Sequence, residues 1–212
     1  MPPCYRSRKR HCRFGVSEMD KCIESLKFFS KDYVYTPDDH NNFYLEEKAP
    51  EGIGKVYFSS SSQCIVIKAN SSGPLVWSFK NGKISEGAIL TKDDSGYHLH
   101  YLEMKSKLTY GEWAKAQLQF EGMHLTALAV IRLLGVTEIA SATCYIAYKQ
   151  DAMTASKSAD LVLMKTFVGM ANPLGGVDSW AAETCELPIT GLARIRKAQR
   201  DVSNDANFGV IN

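Results

Sequence analysis

"YHLHYLEMKSKLTYGEWAKAQLQFEGMHLTALAVIRLLG", residues 97–135, changes its periodicity partway along. Up to Leu108 it is a run rich in aromatic and aliphatic residues, the composition of a strand inside a sheet. From Thr109 the apolar residues recur every three to four positions, and Trp113, Leu118, Phe120, Ala127, Leu128, Ile131 and Leu134 fall along helical stripes. Thr109 and Glu112 have the spacing of a capping box, and Gly135 suits the stop. The stretch therefore reads as a strand running straight into a long helix.

Toward the amino terminus, "EGAILT" (86–91) and "KDDSG" (92–96) add a strand and a polar turn, which makes a hairpin with "YHLHYLEMK" (97–105). If the loop is Asp93 to Gly96, Lys92 pairs with Tyr97 and each later pair keeps the same index sum, which places Glu86 opposite Glu103. Lys105 lies two residues on and shares that face. Two glutamates facing each other across a ladder repel, with Cβ atoms ~4.5 to 5.5 Å apart, so something must offset the pair. Mg²⁺ or Mn²⁺ is the simplest candidate, since carboxylates are preferred ligands of both. The ammonium of Lys105 would then position a water or stabilise charge developing on a phosphate, the arrangement for metal-assisted phosphodiester hydrolysis. The alternative is that Glu86 opens a strand at a solvent edge and that Glu103 and Lys105 are a polar strand end; a one-residue slip would send Glu86 to the other face.

The remaining chain fits around this unit. Ser17 is placed to cap a first helix with Met19, Cys22, Ile23 and Leu26 at helical spacing. Residues 32–54 lack a sustained period and read as irregular, with room for a short strand or helix. "KVYFSSSS" (55–62), "QCIVIKA" (63–69) and "PLVWSFK" (74–80) read as strands, as does "EIASATCYIAYK" (138–149). "SKSADLVLMKTFV" (156–168) reads as a helix and the last forty residues as mostly irregular. The expectation is one α/β domain over 17–212, a central mixed β-sheet flanked by helices, behind a basic tail at 1–16.

The order "SEGAIL", turn, "YLEMKSK", a long helix containing "AKAQLQ", then an apolar strand resembles the PD-(D/E)XK nuclease superfamily, with its restriction-endonuclease-like core, over about residues 60–150. The resemblance implies a metal-dependent nuclease in which Glu86 and Glu103 bind Mg²⁺ or Mn²⁺, Lys105 assists the attacking water and Gln117 supports the site. It also implies that nucleic acid is the partner, DNA ahead of RNA. The first acid of that pattern is usually Asp, and here it would be Glu86. Asp93 or Asp94 could stand in for it but read better as turn formers. The superfamily often adds a carboxylate from the first helix, for which Glu18 and Glu24 are both placed. The departure at Glu86 also fits an inactive protein of this fold that binds nucleic acid or a protein partner. A structural or assembly protein with an accidental E-x-K is the remaining rival.

Composition narrows the class further. The chain is 45% hydrophobic and 23% charged with a net charge of +2, and no apolar run approaches the ~20 residues of a spanning helix. The basic start is not followed by an apolar stretch, so a cytoplasmic protein is expected, with no membrane partner. Arg6, Arg8, Lys9, Arg10 and Arg13 could contact phosphates or simply be solvated. Lys107 and Lys115 flank the proposed site with the same two readings. Cys4, His11, Cys12 and Cys22 match no common zinc spacing. His98 and His100 lie on the strand face away from Glu103, and they and His124 read as packed or surface residues. Ser59 to Ser62 lacks a nucleophile-elbow context, and there is no Gly-rich phosphate loop, which argues against ATP or GTP hydrolysis. A homo-oligomer or a protein partner in a larger complex stays open.

Overall fold

The computed structural model describes residues 17–47, 53–69, 78–153 and 175–212. The basic tail with its zinc candidates Cys4, His11 and Cys12, the helix expected at 156–168 and most of the strand expected at 74–80 lie outside the described residues.

The first element is α1 (Glu18–Ser25), started by a reciprocal capping box between Ser17 and Asp20. A 3₁₀ turn follows at Leu26–Phe28. Then come β1 (Val34–Tyr35), β2 (Phe43–Glu47), β3 (Gly54–Ser60), β4 (Ile65–Lys68), β5 (Gly87–Asp93), β6 (Gly96–Leu108), α2 (Tyr110–Leu133), β7 (Ser141–Asp151), α3 (Gly175–Ala182), β8 (Thr184–Leu187), β9 (Gly191–Gln199) and β10 (Ala206–Ile211). Among the described residues, seven strands form a mixed sheet in the order β1-β4-β5-β6-β7-β9-β8, and β10-β3-β2 form a second, three-stranded sheet. In the large sheet β4, β5 and β6 are antiparallel, whereas β6, β7 and β9 are parallel. The helix α2 supplies the crossover that a parallel β6–β7 pair requires.

Alternation along the central strands divides the core in two. Leu99 and Tyr101 of β6 point into a cluster with Trp113, Phe120, Met123, Val130 and Ile131 of α2, Met19 and Cys22 of α1, and Trp180 of α3. Leu102 and Met104 point the other way, toward Phe43, Leu45, Val56 and Phe58 of the small sheet. The architecture is thus three layers: helices, a seven-stranded sheet, and a three-stranded sheet. The expected α/β class and central mixed sheet are observed. Among the described residues the helices pack on one face of that sheet and the small sheet covers the other. The carboxy-terminal segment, expected to be irregular, instead contributes α3, β8, β9 and β10. In the first half of β9, Ala193 and Ile195 are buried between exposed Leu192, Arg194 and Arg196.

Both ends of α2 are fastened, the amino-terminal one by half of the expected capping box, since the Glu112 carboxylate pairs with Lys115 and Lys105. Thr109 Oγ1 accepts from the Glu112 amide, 3.3 Å away. At the other end Gly135 adopts φ 90°, while its amide donates to Arg132 and that of Val136 donates to Ile131, a Schellman stop. In the middle, α2 lies directly on the strap that leads into β5. Asn81 Nδ2 donates to the Leu118 carbonyl at 2.6 Å, and the Ser85 amide donates to the Gln119 carbonyl at 3.1 Å. A Cβ on Gly122 would sit 1.8 Å from the Lys83 carbonyl oxygen, so only glycine permits this approach. Gly122→Ala is expected to lower stability by on the order of 2 kcal/mol, despite alanine's better helix propensity, as measured by urea denaturation. An unchanged or raised midpoint would refute the close contact.

Candidate functional site

The hairpin register places the charged groups. Every pair of the β5–β6 ladder, from Asp93 with Gly96 to Gly87 with Leu102, keeps the index sum inferred from the sequence. Glu86 is one step beyond the last pair, held by the Ser85 amide bond to α2 and by the Ala69 amide, which donates to the Glu86 carbonyl at 3.1 Å. In the parallel half, Glu103 is beside Ile146, and Lys105 is beside Tyr148, which in turn neighbours Gln199. The cluster therefore sits at the carboxyl ends of three parallel strands, where open α/β sheets commonly bind ligands.

Glu103 is 1% exposed. Its Oε1 is 2.7 Å from Lys105 Nζ, while its Oε2 is buried without a hydrogen-bond partner. Lys105 Nζ also donates to Gln119 Oε1 at 2.7 Å and lies 3.8 Å from Glu112 Oε2. A third carboxylate comes from outside the large sheet. Glu47, at the end of β2, acts electrostatically on both Glu86 and Glu103 and has its Oε2 3.5 Å from the Arg200 guanidinium.

Three carboxyls in a shielded corner resist ionisation. Burial pushes Glu103 up to about 8; Lys105 opposes the rise, and Glu86 and Glu47 add to it. Burial and the charge of Glu47 push Glu86 up to about 7, against Lys105 and Arg200. Burial raises Glu47 as well. A cation binding carboxyls with raised pKa values would displace their protons to solvent.

The structure brings Glu86, Glu103 and Lys105 together and leaves Gln117 out. Gln117 Nε2 donates to Ser179 Oγ at 3.2 Å, and the glutamine on Lys105 is Gln119. Two helical positions differ by about 200°, so one of the two residues must face away from the site. Neither first-helix candidate joins the cluster: Glu18 pairs with Lys92 at 3.4 Å, near the hairpin turn, and Glu24 is exposed. Asp93 accepts from Ser95 and contacts His98, and Asp94 is an exposed turn residue. Lys107 is exposed, and Lys115 pairs with Glu112. His124 is fastened between Tyr101, Pro188 and Thr190. Cys22, buried against the Tyr97 hydroxyl, and Cys64, Cys144 and Cys185 are free thiols. The sequence signal for β2, and with it Glu47, is the strand-favouring aromatic and aliphatic run Phe43–Leu45 that precedes the two glutamates.

Among the described residues, no three His, Cys, Asp or Glu side chains converge tightly enough to enclose an ion by themselves. The orphaned oxygen of Glu103 beside Glu86 nevertheless suits a hard cation that takes one or two carboxylates and fills its remaining positions with water and phosphate oxygens. No described helix is long and apolar enough to cross a membrane. No family model, curated protein or solved structure matches the chain, so its functional reading rests on the chemistry of this site.

Proposed function

We propose that the protein is a metal-dependent nuclease, DNA being the favoured substrate. The observation that carries this reading is the buried Glu103 carboxylate, with one oxygen on Lys105 and the other unpartnered, at the carboxyl ends of parallel strands. The order of antiparallel β5 and β6, crossover helix and parallel β7 supports the likeness to a restriction-endonuclease-like core.

Glu86 and Glu103 would hold Mg²⁺ or Mn²⁺, with Glu47 close enough to bias their ionisation. The ion would supply Lewis acidity toward the phosphate and lower the pKa of bound water. Lys105, steadied by Gln119 and Glu112, directs its ammonium at the attacking water and at the phosphate oxygen that gains charge as the new P–O bond forms and the leaving P–O bond breaks.

The test is cleavage of plasmid DNA with Mg²⁺ or Mn²⁺, lost in Glu103→Ala and in Lys105→Ala. Failure to cut DNA or RNA with any divalent metal would overturn the reading. The two glutamines give a sharper comparison. Gln119→Ala is expected to lower kcat by roughly 10- to 100-fold through a misplaced Lys105. Gln117→Ala, which removes a bond to Ser179, should stay within about twofold of the parent. Equal losses in single-turnover assays would contradict the assignment.

One observation favours a non-cutting relative of this fold. The Glu103–Lys105–Gln119 contacts already satisfy much of the site internally. That version predicts no shift in Tm when divalent ions are added, whereas an ion bound only to the native state must raise Tm.

A further inference from the structure

A cleft of about 900 Å³ opens on the sheet face opposite the Glu103 cluster, at the other end of the same strands. The register explains its lining. His98 of β6 neighbours Ser141 of β7, His100 neighbours Thr143, and Thr143 and Tyr145 neighbour Arg194 and Arg196 of β9. These side chains share one face, and β10 of the small sheet borders it with Val210 and Ile211.

The histidines are part of the wall. His98 contacts Asp93, Ser95 and Ser141, and His100 lies between Thr91 and Tyr145. Burial drives the His100 pKa down to about 3, so its ring is neutral. The positive charge belongs to Arg194 and Arg196, both exposed. Among the described residues neither guanidinium forms an ion pair with a carboxylate. Arg196 lies over the Tyr145 ring, and the acid in the lining, Glu183, is 3.2 Å from Lys197. Two like charges two residues apart on one strand face are left uncompensated in a concave site. At the rim, Leu192 is 74% and Val210 59% exposed, apolar surface beside the charge.

We propose that this cleft binds a small phosphate-bearing ligand of nucleotide size, with its phosphate on Arg194 and Arg196 and its flat apolar part against Leu192 and Val210. The volume falls within the usual ~300 to 1,000 Å³ of small-ligand sites. Guanidinium groups match phosphate oxygens in planar, two-point geometry, and the hydroxyls of Ser141 and Thr143 add donors. A long nucleic-acid strand fits less well, because its binding calls for a track of cations and the lining supplies two arginines. The assignment is independent of the nuclease reading, since the two sites use opposite faces of β6.

Calorimetric titration of the whole chain with AMP, ADP and inorganic phosphate tests it. Saturable binding of AMP or ADP is expected, tighter than that of phosphate alone. It should weaken at least about tenfold in R194A/R196A, a loss of ~1.4 kcal/mol, and recover in part in R194K/R196K. Lys107→Ala, which removes an exposed cation at the far end of β6, should leave it unchanged. Tm values of both double variants report whether the fold is kept, and the lysine pair retains the charge if the alanine pair unfolds. No saturable mononucleotide binding, binding indifferent to both arginine pairs, or binding of single-stranded oligonucleotides alone would each overturn the proposal.

Discussion

Glu103→Gln is expected to abolish metal-dependent DNA cleavage, by ~10³-fold or more, while leaving the metal-free protein at least as stable as the parent at pH 8. The two halves of this result have one cause. Glu103 is fully shielded and has one oxygen without a hydrogen-bond partner, so its ionised form is costly unless a cation arrives. A neutral amide removes that cost and also removes the proposed metal ligand. The pH dependence separates this from simple loss of a contact. A free glutamate titrates near 4.5 and Glu103 near 8, so between these values the unfolded chain has released a proton that the folded chain keeps. Where the unfolded state binds fewer protons, stability falls as pH rises. The metal-free protein should therefore lose on the order of a few kcal/mol from pH 5 to pH 8 through this group, and above pH 8 the trend should level off. Glu86, raised to about 7, contributes in the same sense over a narrower window. In Glu103→Gln the decline should be shallower. Urea denaturation with a chelator present measures it; an equal slope in parent and variant would show that Glu103 ionises freely. With Mg²⁺ or Mn²⁺ added, the parent should regain stability most strongly at high pH, because ion binding releases the proton that folding retained.

What the sequence made legible was local. The polar "DDSG" turn between two strand-like runs sets the hairpin register, and register alone brings Glu86, Glu103 and Lys105 to one corner. The long helix and its caps followed from periodicity. Contacts between segments far apart in the chain are not legible in it. Glu47 reaches the site on a strand of the small sheet, which pairs with β3 and through it with β10, more than 150 residues later. Nothing near Glu103 in the sequence foretells that contact. Gln117 and Gln119 differ by two positions, and which of them faces Lys105 depends on how the chain turns between Leu108 and Tyr110, a geometry that residue spacing does not encode. The carboxy-terminal strands are a different case. "LARIR" (192–196) alternates, but Lys197 and Gln199 break the pattern, and the surrounding Gly and Pro obscured strands as short as β8.

Arg200→Ala is expected to cost ~3 to 5 kcal/mol, the largest stability loss foreseen here for a single change at a charged residue. Arg200 is 4% exposed and ties together three chain segments. Its Nε donates to the Asn204 carbonyl at 2.6 Å and an Nη to the Ile53 carbonyl at 3.1 Å, while its other Nη faces Glu47 at 3.5 Å. The backbone leaves room for this fork: a Cβ on Gly54 would sit 2.0 Å from the guanidinium. Removing the side chain leaves a half-shielded Glu47 without its cation and takes a donor from each of two carbonyls. Arg200→Lys should recover only part of the loss, since an ammonium cannot span the same three partners in one plane. A cost under ~1 kcal/mol for Arg200→Ala in urea denaturation would show that the fork is not a fastening. The effect should also reach the Glu103 corner. Arg200 lowers the pKa of both Glu47 and Glu86, so without it both carboxyls hold their protons to higher pH. The metal-dependent rate of any folded Arg200→Lys or Arg200→Ala protein should then require a more alkaline medium for half-maximal activity than the parent does, with the shift larger in the alanine variant. An unchanged pH profile would mean that the cation fastens the small sheet without tuning the site.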